Sequence, residues 1–325
     1  MIKDQDTVYH TPENCPFDWA ETSYFYCHVP EANLMAWIYF VARPGVGAMV
    51  ADIQVISDMS TNPLDARYTD IQQHLPLPER FEQFSLPNGL DFKAETIRNY
   101  RLDYQGVDDT EIHLDVVGLM EPYDIHDPAM DPMAKENKEE SEKSSGFGSA
   151  YANHFDMTCR VTGQLKVRGK SYDVDCVSTM DHSWGPRPQR GMSPMAWVNA
   201  HFGEDYALQS IWSYEPREIP EKQFQFAHGY ALVDGEVKGF KEGSMVVERN
   251  KFDRFGVAFT TTFVDIDGRQ HHAFGSPLSQ HLWFPYSCTY VPTVFIRWQS
   301  GERIGYGNSQ ENNPMDRETG SRLRA

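Results

Sequence analysis

The chain has 325 residues, enough to bury a large core and, by size alone, to form two domains. Its net charge of −18, from 47 acidic against 29 basic residues, repels polyanions and excludes nucleic acid and anionic membrane surfaces as expected partners. Aromatic residues make up 13%, a weight that suits strands and broad apolar pockets better than helical bundles.

The N-terminus, Met1-Ile2-Lys3-Asp4-Gln5-Asp6, has no basic region leading into an apolar run, and nowhere do about eighteen apolar residues occur together. The expectation is a cytoplasmic protein without signal peptide or membrane span. Five cysteines, at 15, 27, 159, 176 and 288, are an odd number with no C-x-x-C spacing and read as reduced thiols.

Residues 7 to 23 have no period, and Pro12, Pro16 and Trp19 suggest a strap covering a barrel or sheet end. Three strands in meander order follow: Tyr24 to Val29, Leu34 to Val41 and, after a Pro44-Gly45-Val46-Gly47 turn, Ala48 to Ile56. A further extended series runs from Leu90 to Val117, where Tyr100 to Tyr104 and Glu111 to Val117 alternate polar with apolar as half-buried strands do. One β unit is expected to end near residue 120. Residues 121–150 carry three prolines and a charged, Ser-rich run from Lys135 to Gly146, predicting a mobile linker or lid, with a short surface helix as the competing form.

The second half repeats the character of the first. Phe155 to Leu165 alternates, Arg168-Gly169-Lys170 turns the chain, and Asp234-Gly235 and Asp267-Gly268 each separate extended runs as hairpin turns do. About six hairpin-like units and no long amphipathic helix predict an all-β chain. The expected organisation is a first β domain over 1–120, the linker over 121–150, a second β domain over 151–307 and a loose polar tail over 308–325. Each meander can close on itself, giving two antiparallel barrels or barrel-like sandwiches packed together, with an apolar interior for a ligand.

The densest chemistry lies in Asp181-His182-Ser183-Trp184-Gly185-Pro186-Arg187, which the Gly-Pro pair predicts to be a turn at a strand end. His182 is the acid/base candidate, because imidazole titrates near neutral pH. Asp181 would orient it only if the turn has begun, since neighbours in an extended strand face opposite ways. Otherwise Asp181 caps backbone amides and His182 needs another partner. Trp184 would wall a pocket or stabilise a developing cation through its π face. In the next strand, Trp197, Asn199 and His201 share one alternation face, a row suited to a ligand cavity with few polar anchors. The bland alternatives are a structural turn at 181–187 and a satisfied rim histidine at His201. His271-His272 with His281 lacks the thiolate or carboxylate spacing of a metal site, so no metal is expected. Dinucleotide, P-loop and serine-elbow motifs are absent, which disfavours cofactor and serine-hydrolase chemistry.

Asp181-His182-Ser183-Trp184-Gly185 with Arg187 and the aromatic strand Met195-Ala196-Trp197 resembles the signature of the lipocalin-like family that includes carotenoid 1,2-hydratase and the AttH-like proteins. Tocopherol cyclase and fungal Diels-Alderases are more distant relatives. Trp19-x-Glu21-x-x-Tyr24-Phe25 and Gly305-Tyr306-Gly307 resemble bacterial members. The resemblance implies two lipocalin-like barrels and cofactor-free addition or removal of water, isomerisation or cyclisation on a hydrophobic substrate; the expected substrate is a terpenoid, steroid or polycyclic aromatic in an aromatic cavity at the domain interface. It maps the family's His and Trp to His182 and Trp184 with Asp181 beside them, and Trp197, Asn199, His201, Arg187 and Tyr24 are the expected substrate contacts. The alternative is a non-catalytic carrier of an apolar small molecule. Oligomeric state is left open, a homodimer included.

Overall fold

The computed structural model describes residues 2–134, 153–251 and 255–316. The described chain is almost wholly β and divides into two units, the first comprising 2–57, 66–124 and 153–187. Its strands are β1 (Trp19–Val29), β2 (Leu34–Arg43), β3 (Ala48–Ile56), β4 (Tyr68–Pro76), β5 (Gln83–Ser85), β6 (Leu90–Thr96), β7 (Asn99–Gln105), β8 (Glu111–Gly118), β9 (Tyr123–Asp124), β10 (Asn153–Val167) and β11 (Lys170–Pro186). They form one curled 11-stranded antiparallel sheet in the order β4-β3-β2-β1-β11-β10-β8-β7-β6-β5, with β9 beside β10.

Local sequence accounts for much of this sheet. β2 reads LMAWIYFVAR and is buried almost throughout, whereas β7 and β8 alternate buried with wetter positions, as their polar and apolar residues do. Phe25, Phe40, Phe81, Phe84, Phe92 and Tyr100 pack ring against ring on the concave side. Residues 2–18 lie on the sheet as a strap tied by named bonds. The Ile97 amide donates to Asp4 Oδ1 at 2.8 Å and the Tyr9 hydroxyl to the Pro78 carbonyl at 3.0 Å.

The second unit takes 58–65, 125–134 and the described residues from 188 onward. β12 (Met195–His201), β13 (Tyr206–Tyr214), β14 (Phe224–Val233), β15 (Glu236–Arg249), β16 (Gly256–Asp265), β17 (Gln270–Tyr286), β18 (Thr289–Ser300) and β19 (Arg303–Pro314) close into a barrel in sequence order. Its core is aromatic: Trp212, Phe240, Phe259, Phe263 and Trp298 are buried, and Phe240 stacks on Phe263 at 4.3 Å between centroids. The units are thus two lipocalin-like β domains, one a curled half-barrel and one closed.

Three expectations change. The first β unit does not end near 120, because β10 pairs with β8 and β11 with β1, carrying the first sheet to Pro186. The polar stretch from Asn308 is not a loose tail as far as Pro314: it lies in β19, which pairs with β12 and β18 and closes the barrel. The charged run at 135–150 lies outside the described residues, and so does 317–325. Finally, 181–186 is not a turn but the continuing end of β11.

Candidate active site

Cross-strand register fixes what each side chain of the central stretch can touch. β11 is held between β10 and β1, so residues directly opposite one another share a face. Phe155, His182 and Ser23 fall in one row, and Trp184 stands opposite Glu21. Asp156, Asp181 and Tyr24 fall in a row on the other face, continued by Tyr39 and Asp52, while Ser183 stands opposite Thr22. Extended geometry therefore separates Asp181 from His182, and the carboxylate expected to orient the imidazole does not reach it.

The partner of His182 is Glu21. Its Nε2 lies 3.2 Å from Glu21 Oε1, which also meets His10 Nδ1 at 2.7 Å, while Glu21 Oε2 accepts the His10 amide at 3.0 Å. Trp184 stacks on the His10 ring at 3.7 Å, and Phe81, Phe155 and Trp184 enclose His182. Burial pushes the Glu21 carboxyl up, but the hydrogen bonds from His10 and His182 outweigh it and hold the group below its ordinary range. Burial also pulls both imidazoles down. For His10 the Glu21 and Asp6 carboxylates reverse the sign and the net shift is upward; for His182 Glu21 compensates only in part and the net shift is downward. The network is read as an ionised Glu21, a His10 inclined to be cationic and a neutral His182 donating through Nε2.

The opposite face carries a second cluster. His154 Nε2 lies 3.1 Å from Asp156 Oδ2, and ligand-type atoms of His154, Asp156 and Asp181 all lie within 4.8 Å of one another. Asp181 Oδ1 is buried and has no hydrogen-bond partner among the described residues. Burial is the main cause that pushes the Asp181 carboxyl up to about 7, with Asp156 adding to it and His154, Arg187 and the Tyr24 amide opposing. His154 moves the other way: burial lowers it, but the charges of Asp156 and Asp181 carry it above the usual imidazole value. Arg187 donates from Nη2 to Ser183 Oγ at 2.6 Å, and Ser183 Oγ lies 2.9 Å from Thr22 Oγ1. Tyr24 sits among Tyr26 and Tyr39, with centroids 5.9 and 6.3 Å away. This face thus combines a carboxyl that holds its proton near neutrality, a carboxylate–imidazole pair, a guanidinium and an aromatic wall.

Of the sequence candidates, Asp181, Arg187 and Tyr24 come together here, and His182 and Trp184 share the other face with Glu21. Trp197, Asn199 and His201 are in β12 and point away from the barrel core formed by Ala196, Val198 and Ala200. There Asn199 Nδ2 donates to Asn308 Oδ1 at 3.3 Å, and His201 Nδ1 meets the Tyr306 carbonyl at 3.0 Å. The sequence candidates omit Glu21, His10, His154 and Asp156. The i, i+2 spacing of His154 and Asp156 in an alternating strand was the available signal, since it places both on one face. Two groups among the described residues could hold a divalent ion with nitrogen and oxygen ligands, His10-Glu21-His182 and His154-Asp156-Asp181. His271, His272 and His281 do not form one.

Fold and site together define a two-domain lipocalin-like β protein with buried acid/base clusters on one of its sheets. More particularly, the family model described as "Domain of unknown function (DUF7064)" matches residues 3–315, and the chain belongs to that family. A search of the curated proteins finds no sequence match. Among solved structures, the chain is similar to one assigned to AttH from Nitrosomonas europaea, with 14% identity and a TM-score of 0.55 over 90% of this chain and 91% of that one. It is also similar to kievitone hydratase from Nectria haematococca, at 10% identity and TM-score 0.53 over 90% and 88% of the two chains. CghA matches at 10% identity and TM-score 0.54 over the same shares. Identities this low show a common fold.

Proposed function

We propose that this protein is a cofactor-independent enzyme of the hydratase type, adding water to or removing water from a hydrophobic substrate by acid/base catalysis on the Asp181 face of the first sheet. The observation that carries the reading is the convergence of Asp181, Asp156 and His154 beside Tyr24, with one Asp181 oxygen buried and unpartnered. A carboxyl that stays protonated near neutral pH is suited to donate to an apolar acceptor such as an alkene carbon. In the hydration direction, Asp181 gives its proton to one alkene carbon and the cation develops on the other. The ring faces of Tyr24 and its neighbours stabilise that cation. Water adds to it and loses a proton to the His154–Asp156 pair, from which Asp181 is reprotonated. The shared fold with a kievitone hydratase supports the reaction class, and terpenoid or polycyclic phenolic alkenes are the proposed substrates. In this reading His182, enclosed by rings on the opposite face, fixes the strap and sheet and does not carry the proton.

The test is incubation of the purified protein in water labelled with heavy oxygen, with a panel of terpenoid and phenolic alkenes and their hydrates, followed by mass spectrometry. Wild type is expected to add one labelled water to a member of the panel. Asp181→Asn should lose about 10²- to 10⁴-fold of the rate, the range for one acid/base group, while His182→Gln stays within about tenfold of wild type. A compound bound unchanged by wild type and Asp181→Asn alike would make the protein a carrier and remove the catalytic assignment.

A further inference from the structure

One end of the closed barrel holds a cleft of about 520 Å³ that the Asp181 chemistry does not use. It is walled by the connections between β12 and β13, β14 and β15, β16 and β17, and β18 and β19. Tyr206, His271 and Asp265 form a relay at this end. Tyr206 Oη lies 3.0 Å from His271 Nδ1, and His271 Nε2 lies 3.0 Å from Asp265 Oδ2. Asp265 Oδ1 accepts the amides of Asp267 and Arg269 at 3.0 and 2.9 Å, so this carboxylate is held ionised by donors on both oxygens. His271 then carries its proton on Nε2, and its Nδ1 accepts the Tyr206 hydroxyl. The phenolic proton is directed at the imidazole rather than at the cleft.

Among the described residues, the two guanidiniums that line the cleft are engaged differently. Arg303 is engaged by Asp205 at 2.8 Å, with its guanidinium 5.5 Å above the Tyr206 ring, whereas the Arg269 guanidinium makes no hydrogen bond or ion pair among the described residues. An unpaired guanidinium beside a phenol offers the donors that two carboxylate oxygens need. Asp205, Asp234 and Glu302 around the same cleft disfavour a doubly charged phosphate.

We propose that this cleft binds a small organic carboxylate through Arg269 and Tyr206, and that binding places one proton on His271. For the phenol to donate to the ligand it must give up His271 as its acceptor. Two lone pairs would then face each other across the Oη to Nδ1 contact unless Nδ1 gains a proton and donates back. The charged and titratable groups facing His271 are Asp265 from the end of β16, Arg269 from the turn after it, His272 from β17, Tyr206 from β13 and Arg303 from β19. β15 places the uncharged Phe240 ring 5.7 Å from the imidazole, and its Lys238 is ion-paired to Asp267 in the turn that carries Arg269. Asp265 favours the imidazolium and Arg269 opposes it. A carboxylate arriving on Arg269 removes that opposition, so anion and proton enter together and the net charge of the site is unchanged.

Calorimetric titration with benzoate in two buffers of different ionisation enthalpy, near pH 7.5, tests this. Wild type is expected to take up about one proton per benzoate, and affinity should fall about tenfold per pH unit as pH rises further. Arg269→Ala, on an exposed turn, should weaken binding about tenfold or more, and His271→Asn should bind without proton uptake. Absence of benzoate binding to wild type, tighter binding of inorganic phosphate than of benzoate, unchanged affinity in Arg269→Ala, or proton uptake persisting in His271→Asn would each overturn the proposal and leave the relay as a fastening between β13 and the β16–β17 hairpin.

Discussion

The residue that governs the inner face of the first sheet is Glu21, a buried carboxylate at the shared end of two imidazole contacts. Replacing it with Gln breaks a buried charge pair, a change that costs about 3 kcal/mol or more. Glu21→Gln is expected to release the strap, read as faster proteolytic cleavage within residues 2–18 and a lower Tm. The pH dependence has two limbs. Glu21, with its pKa lowered on folding, contributes stability that is lost as pH falls through that lowered value. His10, with its pKa raised, contributes stability that is full in acid and lost as pH rises through its raised value. Strap protection from protease should therefore peak between the two, and in Glu21→Gln the acid limb should be lost while the alkaline limb, left with Asp6 as the partner of His10, should be weaker. At this scale the sequence was partly legible. Asp181, Arg187 and Tyr24 stand out as residue types and do converge, whereas the partner of His182 lies 161 positions away and no local spacing points to it.

At the scale of elements, the strands announce themselves by aromatic and β-branched runs and by Gly-bearing turns, and β2, β3, β7, β8 and the Asp234-Gly235 hairpin fall where those signals place them, whereas β1 begins at Trp19, inside the stretch expected to be a strap, because residues 19–23 pair with the end of β11. Their assignment to a sheet is less visible. β11 belongs with β1 because the two pair in register, and nothing in either run alone specifies that register. β10 shows how a long strand is shaped to serve its sheet. At Gly163, φ is +143°, and a Cβ there would collide with the His113 carbonyl of β8. Gly163→Ala is expected to destabilise the protein by roughly 2–3 kcal/mol, measured by denaturant unfolding. An unchanged midpoint would mean that β8 and β10 do not approach as described. The same strand carries His154 and Asp156, so its course bears on the site directly.

Over the whole molecule, aromatic content and hairpin spacing were enough to predict two β domains, but the boundary was obscured because the sheet of the first unit recruits β10 and β11 from beyond the charged segment. Among the described residues no helix is long and apolar enough to cross a membrane. The net charge of −18 adds a diffuse field that favours protonated carboxyls everywhere, in the same direction as the burial that raises Asp181. Acid catalysis on this face requires that carboxyl to hold its proton at working pH. Isotope-edited infrared titration of the protein with labelled aspartate carboxyls, wild type against Asp181→Asn, measures this directly. A protonated carboxyl that ionises at about 7 in wild type and is missing from Asp181→Asn is the predicted result; aspartates that all ionise in the ordinary range, near pH 4, would contradict it and leave the face without an acid.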